Sequence, residues 1–127
     1  MTLQRQLATL AVGVQAAAAG VWWAALYARP GLRAYFRPAL APDATLLAFA
    51  FPDLLLFTMA GLLAAVGLWR QRRWAWPLLL VHSGAALYAA FYCVSLALLT
   101  GEATAAAVLM APSLVILPFA VWITRPR

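Results

Sequence analysis

The sequence contains few charged residues and few residues of the kinds that bind metals. Charged side chains make up 9% of its 127 residues, with three acids, one histidine and one cysteine. A soluble globular domain is roughly 25% charged, so this composition lies far outside that class. The lone cysteine, Cys93, makes no intrachain disulfide and no CxxC redox or zinc motif. The lone histidine, His82, cannot supply the two ligands of a b-type haem, so we expect no metal and no cofactor.

Lysine is absent, and all nine basic residues are arginines, which give a formal net charge of +6. These arginines occur in short clusters between apolar segments rather than along one solvated face, so we expect no binding to nucleic acid. Arginines at the ends of apolar segments are instead typical of membrane proteins.

Long apolar runs dominate the remaining sequence, which is 67% hydrophobic. A membrane-spanning helix needs about 20 mostly apolar residues. Four runs are long enough, at about residues 7–28, 45–68, 76–99 and 104–124. Because backbone groups in hydrocarbon must hydrogen-bond internally, each run is predicted to be a helix. We therefore predict an all-α integral membrane four-helix bundle that forms a single domain.

The first run resembles a signal peptide, but its apolar stretch is longer than the ~7–15 residues of a signal-peptide core, so we expect it to be retained. Orientation follows from the arginines, because the cytoplasmic side of a membrane protein carries more of them. Three arginines lie between the first and second runs, and the other six lie toward the termini or between the second and third runs. We predict cytoplasmic N- and C-termini. We also expect a bacterial inner-membrane protein with membrane lipids as partners.

The stretch "FPDLLLF", residues 51–57, places Pro52 and Asp53 inside the second apolar run. An acid at the centre of a membrane helix costs about 2.5–3.5 kcal/mol and usually faces the bundle interior or a water-filled cavity. No arginine within the runs can pair with Asp53, so it should be protonated or accept hydrogen bonds from tyrosine hydroxyls. It is either an acid that anchors a ligand or handles protons, or a structural tie between helices two and three.

Counting depth at about 1.5 Å per residue places several polar residues near the level of Asp53. Pro52 and Pro112 also fall at one level, where two kinks would leave room for a pocket. His82 falls deeper, at the level of Gln15, and a structural hydrogen bond between these two is predicted. The predicted ligand-binding residues are Asp53, Tyr88, Tyr92, His82, Ser113 and Gln15.

The first connection, residues 29–44, is the longest and contains Tyr35, Phe36 and three prolines. Loops of this length are often functional or mobile. Two interpretations are open at this point, a lid over the bundle and an interfacial spacer. Small residues such as Gly13 and Gly61 favour close helix packing, either within one bundle or between the copies of a homodimer.

The fourth run contains "MAPSLVILPFAVWI", residues 110–123, and resembles the last span of the EXPERA-domain family, which includes the emopamil-binding sterol isomerases and the sigma-two receptor. Asp53-Leu54 early in the second run and Val81-His82 in the third are similar to that family as well. The resemblance implies a four-helix bundle with a lipid-accessible pocket that contains an acid. It points to Asp53, and then to His82 and Pro112. The family's pocket commonly has a second acid, whereas helix one here offers only Gln15.

These features lead to three functional hypotheses. The first is an intramembrane pocket that binds a small hydrophobic, sterol- or isoprenoid-like molecule anchored by Asp53. The second is an oligomeric proton-coupled transporter or channel, since an intramembrane acid suits proton exchange. The third is an accessory subunit of a membrane complex. Enzymatic activity is left open, because a lipid isomerase needs paired acid and base groups and the second acid is not found.

Overall fold

The computed structural model describes residues 1–126, and the regular secondary structure of this part of the chain is entirely helical, without a strand. Its four long helices are α1 (Leu3–Ala28), α2 (Asp43–Trp69), α3 (Ala75–Thr100) and α4 (Thr104–Thr124). Each is long and apolar enough to cross a membrane. The four predicted helices are thus confirmed, and the largest difference is at the start of α1, which begins at Leu3 instead of residue 7.

The helices form a ring in which each contacts two neighbours. α1 packs beside α2 and α4, and α3 packs beside the same two helices, so α1 and α3 lie on one diagonal. Short turns at both ends of α3 enforce this order. At the first turn, a Cβ on Gly67 would lie 2.6 Å from Ala75 Cβ, so glycine lets α3 begin against α2. At the second, Gly101 adopts a φ of 69° and ends α3 in the left-handed conformation that glycine favours.

The bundle interior is built mainly from small residues. The central cluster contains Val12, Phe57, Leu79 and Leu117, and the gaps between them are filled by alanines. A second cluster of Trp23, Leu26 and Ala50 lies toward the end that carries the long loop. Small side chains bring helices close together, and dispersion between them stabilises a bundle even where burial from water contributes little.

Large apolar side chains are exposed along the outside of all four helices. Leu98 is 81% exposed, Leu99 86% and Val115 74%. A soluble monomer rarely exposes an apolar patch larger than a few hundred Å². The outer surface is therefore typical of a protein that is surrounded by lipid.

Two of the helices have irregular backbones beside a proline. In α2 the three-residue α-helical piece Ala50–Pro52 passes into a π-helical segment, Asp53–Met59, before regular α-helix resumes at Ala60. α4 is interrupted after Met110, and regular helix resumes at Ser113. Proline lacks the N–H that an α-helix uses, and π-helical turns are often found at functional sites. The irregular segments directly precede or contain Asp53 and Ser113.

The long loop between α1 and α2 is folded onto the end of the bundle. It contains a 3-10 helix, Pro30–Tyr35, and two arginines that contact Asp43 at the start of α2. Arg33 Nη1 lies 3.0 Å from Asp43 Oδ2, and Arg37 Nε lies 2.7 Å from Asp43 Oδ1. The backbone N–H of Ala39 donates to Glu102 Oε2 at 2.6 Å, which ties the loop to the turn before α4. These contacts hold the loop over the interior.

Candidate functional site

A cavity of about 470 Å³ lies between the four helices. Small apolar side chains form much of its wall, for example Ala18, Ala19 and Ala106. The polar residues on the wall are Gln15, Trp22, Asp53, Cys93 and Ser113. Ligand pockets commonly measure about 300–1,000 Å³ and combine an apolar wall with a few polar groups. The size and lining of this cavity match that description.

A second cavity of about 190 Å³ lies between the long loop and the bundle. Phe36 and Arg37 of the loop contribute to its wall, together with Tyr92 of α3. Asp53 and Cys93 line both cavities and therefore stand between them. Of the two interpretations of the loop, the structure favours a cover over the interior, because the loop forms one wall of this second cavity.

The carboxyl group of Asp53 has one hydrogen bond within the described residues, and its donor is on α1. The indole Nε1–H of Trp23 donates to Asp53 Oδ2 at 3.2 Å, and Trp23 itself is only 1% exposed. This corrects the expectation that tyrosine hydroxyls would be the donors. The signal that the sequence offered is the indole N–H of Trp23 itself, a hydrogen-bond donor within the first apolar run.

The two predicted tyrosines differ in position. Tyr92 is 41% exposed, lines the smaller cavity and packs against Phe49 with ring centroids 5.0 Å apart. Tyr88 is 68% exposed and lines neither cavity. The two residues are one helical turn apart and therefore share a face of α3. Because both are exposed, that face is turned partly outward. The structure therefore brings Tyr92 to Asp53's cavity but not Tyr88.

Gln15 and Ser113 meet across the larger cavity. Gln15 Nε2 donates to Ser113 Oγ, while Gln15 Oε1 is buried without a partner in the described residues. The predicted hydrogen bond between Gln15 and His82 is therefore wrong. The two residues do lie at a similar depth, because Ala16, the neighbour of Gln15, lies beside Gly61 together with His82. It is the rotation of α1 that differs, since Gln15 is turned toward Ser113 of α4.

His82 is fully buried and lies outside both cavities. Its Nδ1 is 2.7 Å from the carbonyl oxygen of Phe57, and the two rings meet edge to face at 5.0 Å. Because a carbonyl only accepts hydrogen bonds, Nδ1 carries the proton and donates. The ring can approach the α2 backbone because Gly61 has no side chain there. These contacts place His82 in the packing between α2 and α3, away from the ligand site that the sequence predicted.

Pro52 and Pro112 are both exposed, and neither side chain lines the two cavities. Each nevertheless immediately precedes a cavity residue, Asp53 or Ser113, at an irregular part of its helix. The structure thus separates the two kinds of predicted residue. The prolines lie at the backbone irregularities, and the polar residues that follow them face the interior.

The three acids of the chain make different kinds of contact. Asp43 pairs with two arginines of the loop, and Glu102 accepts from a loop N–H. Asp53 is the one acid on the walls of the two cavities. Among residues 1–126, His, Cys, Asp and Glu side chains form no group of three that could hold a metal ion. The arrangement can accept a hydrogen bond or a positive charge at Asp53, but it offers no acid pair.

Comparisons with protein-family models, with curated proteins and with solved structures return no match for this chain. The resemblance to the EXPERA-domain family therefore stays a prediction from the residues that carry it.

Proposed function

We propose that the chain is an integral membrane protein with both termini on the cytoplasmic side. The exposed apolar side chains of all four helices support insertion, and the arginines at the end opposite the long loop support the orientation. A reporter fused to the C-terminus that is active only in the cytoplasm is expected to be active. Activity of a periplasmic reporter at that position would contradict the orientation. Residence in a bacterial inner membrane stays a prediction.

We further propose that the bundle binds a small hydrophobic, lipid-like molecule, such as a sterol or isoprenoid derivative, whose polar group contacts Asp53. The observation that carries this proposal is the position of Asp53 on the walls of both cavities, with a single hydrogen bond and no basic partner. An acid with so few partners inside a membrane is costly, and a structural tie between helices could be made without that cost. A bound donor would supply the partner that Asp53 lacks.

The polar groups around the cavity define the kind of molecule that fits. Asp53 Oδ1 and Gln15 Oε1 have no hydrogen-bond partner in the described residues, and both are acceptors. Trp22 Nε1 is a buried donor without a partner and lies on the same wall. A molecule with an amine or hydroxyl group at one end and an apolar body would satisfy the acceptors and fill the alanine-lined space. An anionic head group would face Asp53 unfavourably.

Three probes with the same twelve-carbon chain and different polar groups test this selectivity: dodecylamine, dodecanol and dodecanoate. We expect the amine to raise the unfolding temperature of the detergent-purified protein most, the alcohol less, and the carboxylate least. Asp53→Asn should weaken amine binding about 10- to 100-fold, because a hydrogen bond to a charged group contributes about 1.5–3 kcal/mol. Its effect on the alcohol should be smaller.

Tyr88→Phe is the matched control, because Tyr88 lies outside both cavities. It should leave all three probes unaffected. Equal binding of the amine by wild type and Asp53→Asn would contradict the proposed role of Asp53. Amine flux across liposomes that depends on a pH gradient and on Asp53 would identify a transporter instead. A stable partner subunit combined with tolerance of Asp53→Leu would identify an accessory subunit.

A further inference from the structure

The end of the bundle opposite the long loop contains a third cavity, of about 500 Å³. Three arginines contribute to its wall: Arg5 of α1, and Arg72 and Arg73 of the turn between α2 and α3. Leu68 and Trp76 line it as well and give it an apolar side. This cavity shares no lining residue with the two that contain Asp53. Its chemistry is therefore independent of the ligand site proposed above.

The positive charge of this cavity is not balanced by nearby acids. The ion pairs among residues 1–126 both involve Asp43, at the other end of the bundle. No aspartate or glutamate lines the third cavity. The side chains of Arg72 and Arg73 are exposed and have no hydrogen bond within the described part of the chain. They are free to bind an anion.

Arg5 is held in place by the end of α4. Its Nε lies 3.3 Å from the carbonyl oxygen of Ile123, and its Nη2 lies 2.9 Å from that of Thr124 and 3.1 Å from that of Arg125. These bonds use the carbonyls that a helix leaves unpaired at its C-terminus. They fix the guanidinium at the cavity wall, and Nη1 has no partner among residues 1–126. A fixed guanidinium loses little conformational freedom when it binds an anion.

The side chain of Trp76 forms part of the same wall. Its indole Nε1 is buried and has no hydrogen-bond partner within residues 1–126. A buried donor without a partner is costly and is usually satisfied by a ligand or an ordered water. Together the cavity offers three guanidinium groups and an apolar side.

We propose that this cavity binds the phosphate group of an anionic membrane phospholipid. Arginine binds phosphate through paired, charge-assisted hydrogen bonds, and Arg5, Arg72 and Arg73 surround one space. Basic pockets between membrane helices on the cytoplasmic side commonly bind anionic lipid head groups. Leu68 and Trp76 provide an apolar surface for the beginning of the acyl chains, which free phosphate would not use.

The double variant Arg72→Gln/Arg73→Gln tests the site, with Arg70→Gln as its control. Arg70 lies in the same turn but does not line the cavity. Binding of phosphatidylglycerol to the detergent-purified protein is measured by native mass spectrometry. We expect about 25-fold weaker binding to the double variant, because each arginine near a membrane surface contributes about a factor of five. Arg70→Gln should change binding less than threefold.

Two further measurements distinguish the source of the phosphate. Phosphatidylcholine, which has no net charge, should bind much more weakly than phosphatidylglycerol. Inorganic phosphate should fail to displace phosphatidylglycerol at equal concentration; displacement would contradict a lipid ligand. If Arg70→Gln weakened phosphatidylglycerol binding as much as the double variant does, a defined site would be contradicted. The result would show that the whole turn attracts anionic lipid non-specifically. Unfolding temperatures within the error of wild type show that both variants are folded.

Discussion

Replacing Gly61 by alanine is expected to lower the free energy of unfolding by about 2–6 kcal/mol. A Cβ at this position would lie 2.5 Å from His82 Nδ1 and 2.7 Å from Ala16 Cβ. Three helices meet here, so the methyl group cannot be accommodated by moving a flexible side-chain end. Overpacking of a tight core costs about 1–3 kcal/mol, and loss of a buried hydrogen bond adds about 1–3 kcal/mol.

The hydrogen bond at risk is the one from His82 Nδ1 to the carbonyl oxygen of Phe57. Gly84→Ala on α3 is the matched control, because a Cβ there would meet nothing within 4 Å. Alanine in a helix is about 1 kcal/mol more favourable than glycine, so this control should be neutral or slightly stabilising. Thermal and denaturant unfolding in detergent measure both variants. Equal stability of Gly61→Ala and wild type would show that α1, α2 and α3 do not meet as described.

Replacing Ala89 by phenylalanine is expected to weaken binding of the amine probe strongly while it preserves the fold. Ala89 lines both cavities beside Asp53, so a phenyl ring there would occupy the space that a ligand needs. Binding should weaken by about 100-fold, because the ligand and the new ring would compete for one space and overpacking costs up to about 3 kcal/mol. Filling a cavity commonly adds about 0.5–2 kcal/mol of stability, so the ligand-free variant should unfold at the same temperature as wild type or higher.

Leu98→Phe is the control for Ala89→Phe, because Leu98 is on the same helix and 81% exposed. It adds an aromatic ring to the outer surface and should leave probe binding unchanged. Weaker amine binding together with unchanged or higher stability in Ala89→Phe would distinguish a ligand cavity from a packing defect. Loss of stability in Ala89→Phe without loss of amine binding would indicate that the space around Asp53 is not where the probe binds.

The sequence predicted the four helices and part of the site, because both depend on local patterns. Hydropathy placed the helices, since each apolar run must form a helix if it crosses hydrocarbon. Depth counting brought Asp53 and Ser113 to one region, and they do line one cavity with Gln15. Pro52 and Pro112 also coincide with irregular backbone, which their missing N–H groups favour.

The rest could not be predicted because it depends on how the helices are rotated and offset. Trp23 donates to Asp53, and Tyr88 faces outward, although both lie on helices adjacent to α2. Nearly all-apolar helices carry little sequence pattern that distinguishes an inner face from an outer one. The folding of the loop depends on Asp43 and Glu102, whose partners lie in other segments. Such contacts follow from the assembled bundle rather than from local sequence.

The most direct test of the ligand site is photolabelling with dodecylamine that carries a diazirine on its chain. After irradiation in membranes, peptide mass spectrometry maps the labelled residues. We expect label on residues that line the cavities, such as Trp22, Ala89 and Cys93, and its loss in Asp53→Asn. Label confined to outward-facing residues such as Tyr88 and Leu98, and equal in both proteins, would contradict an intramembrane site anchored by Asp53.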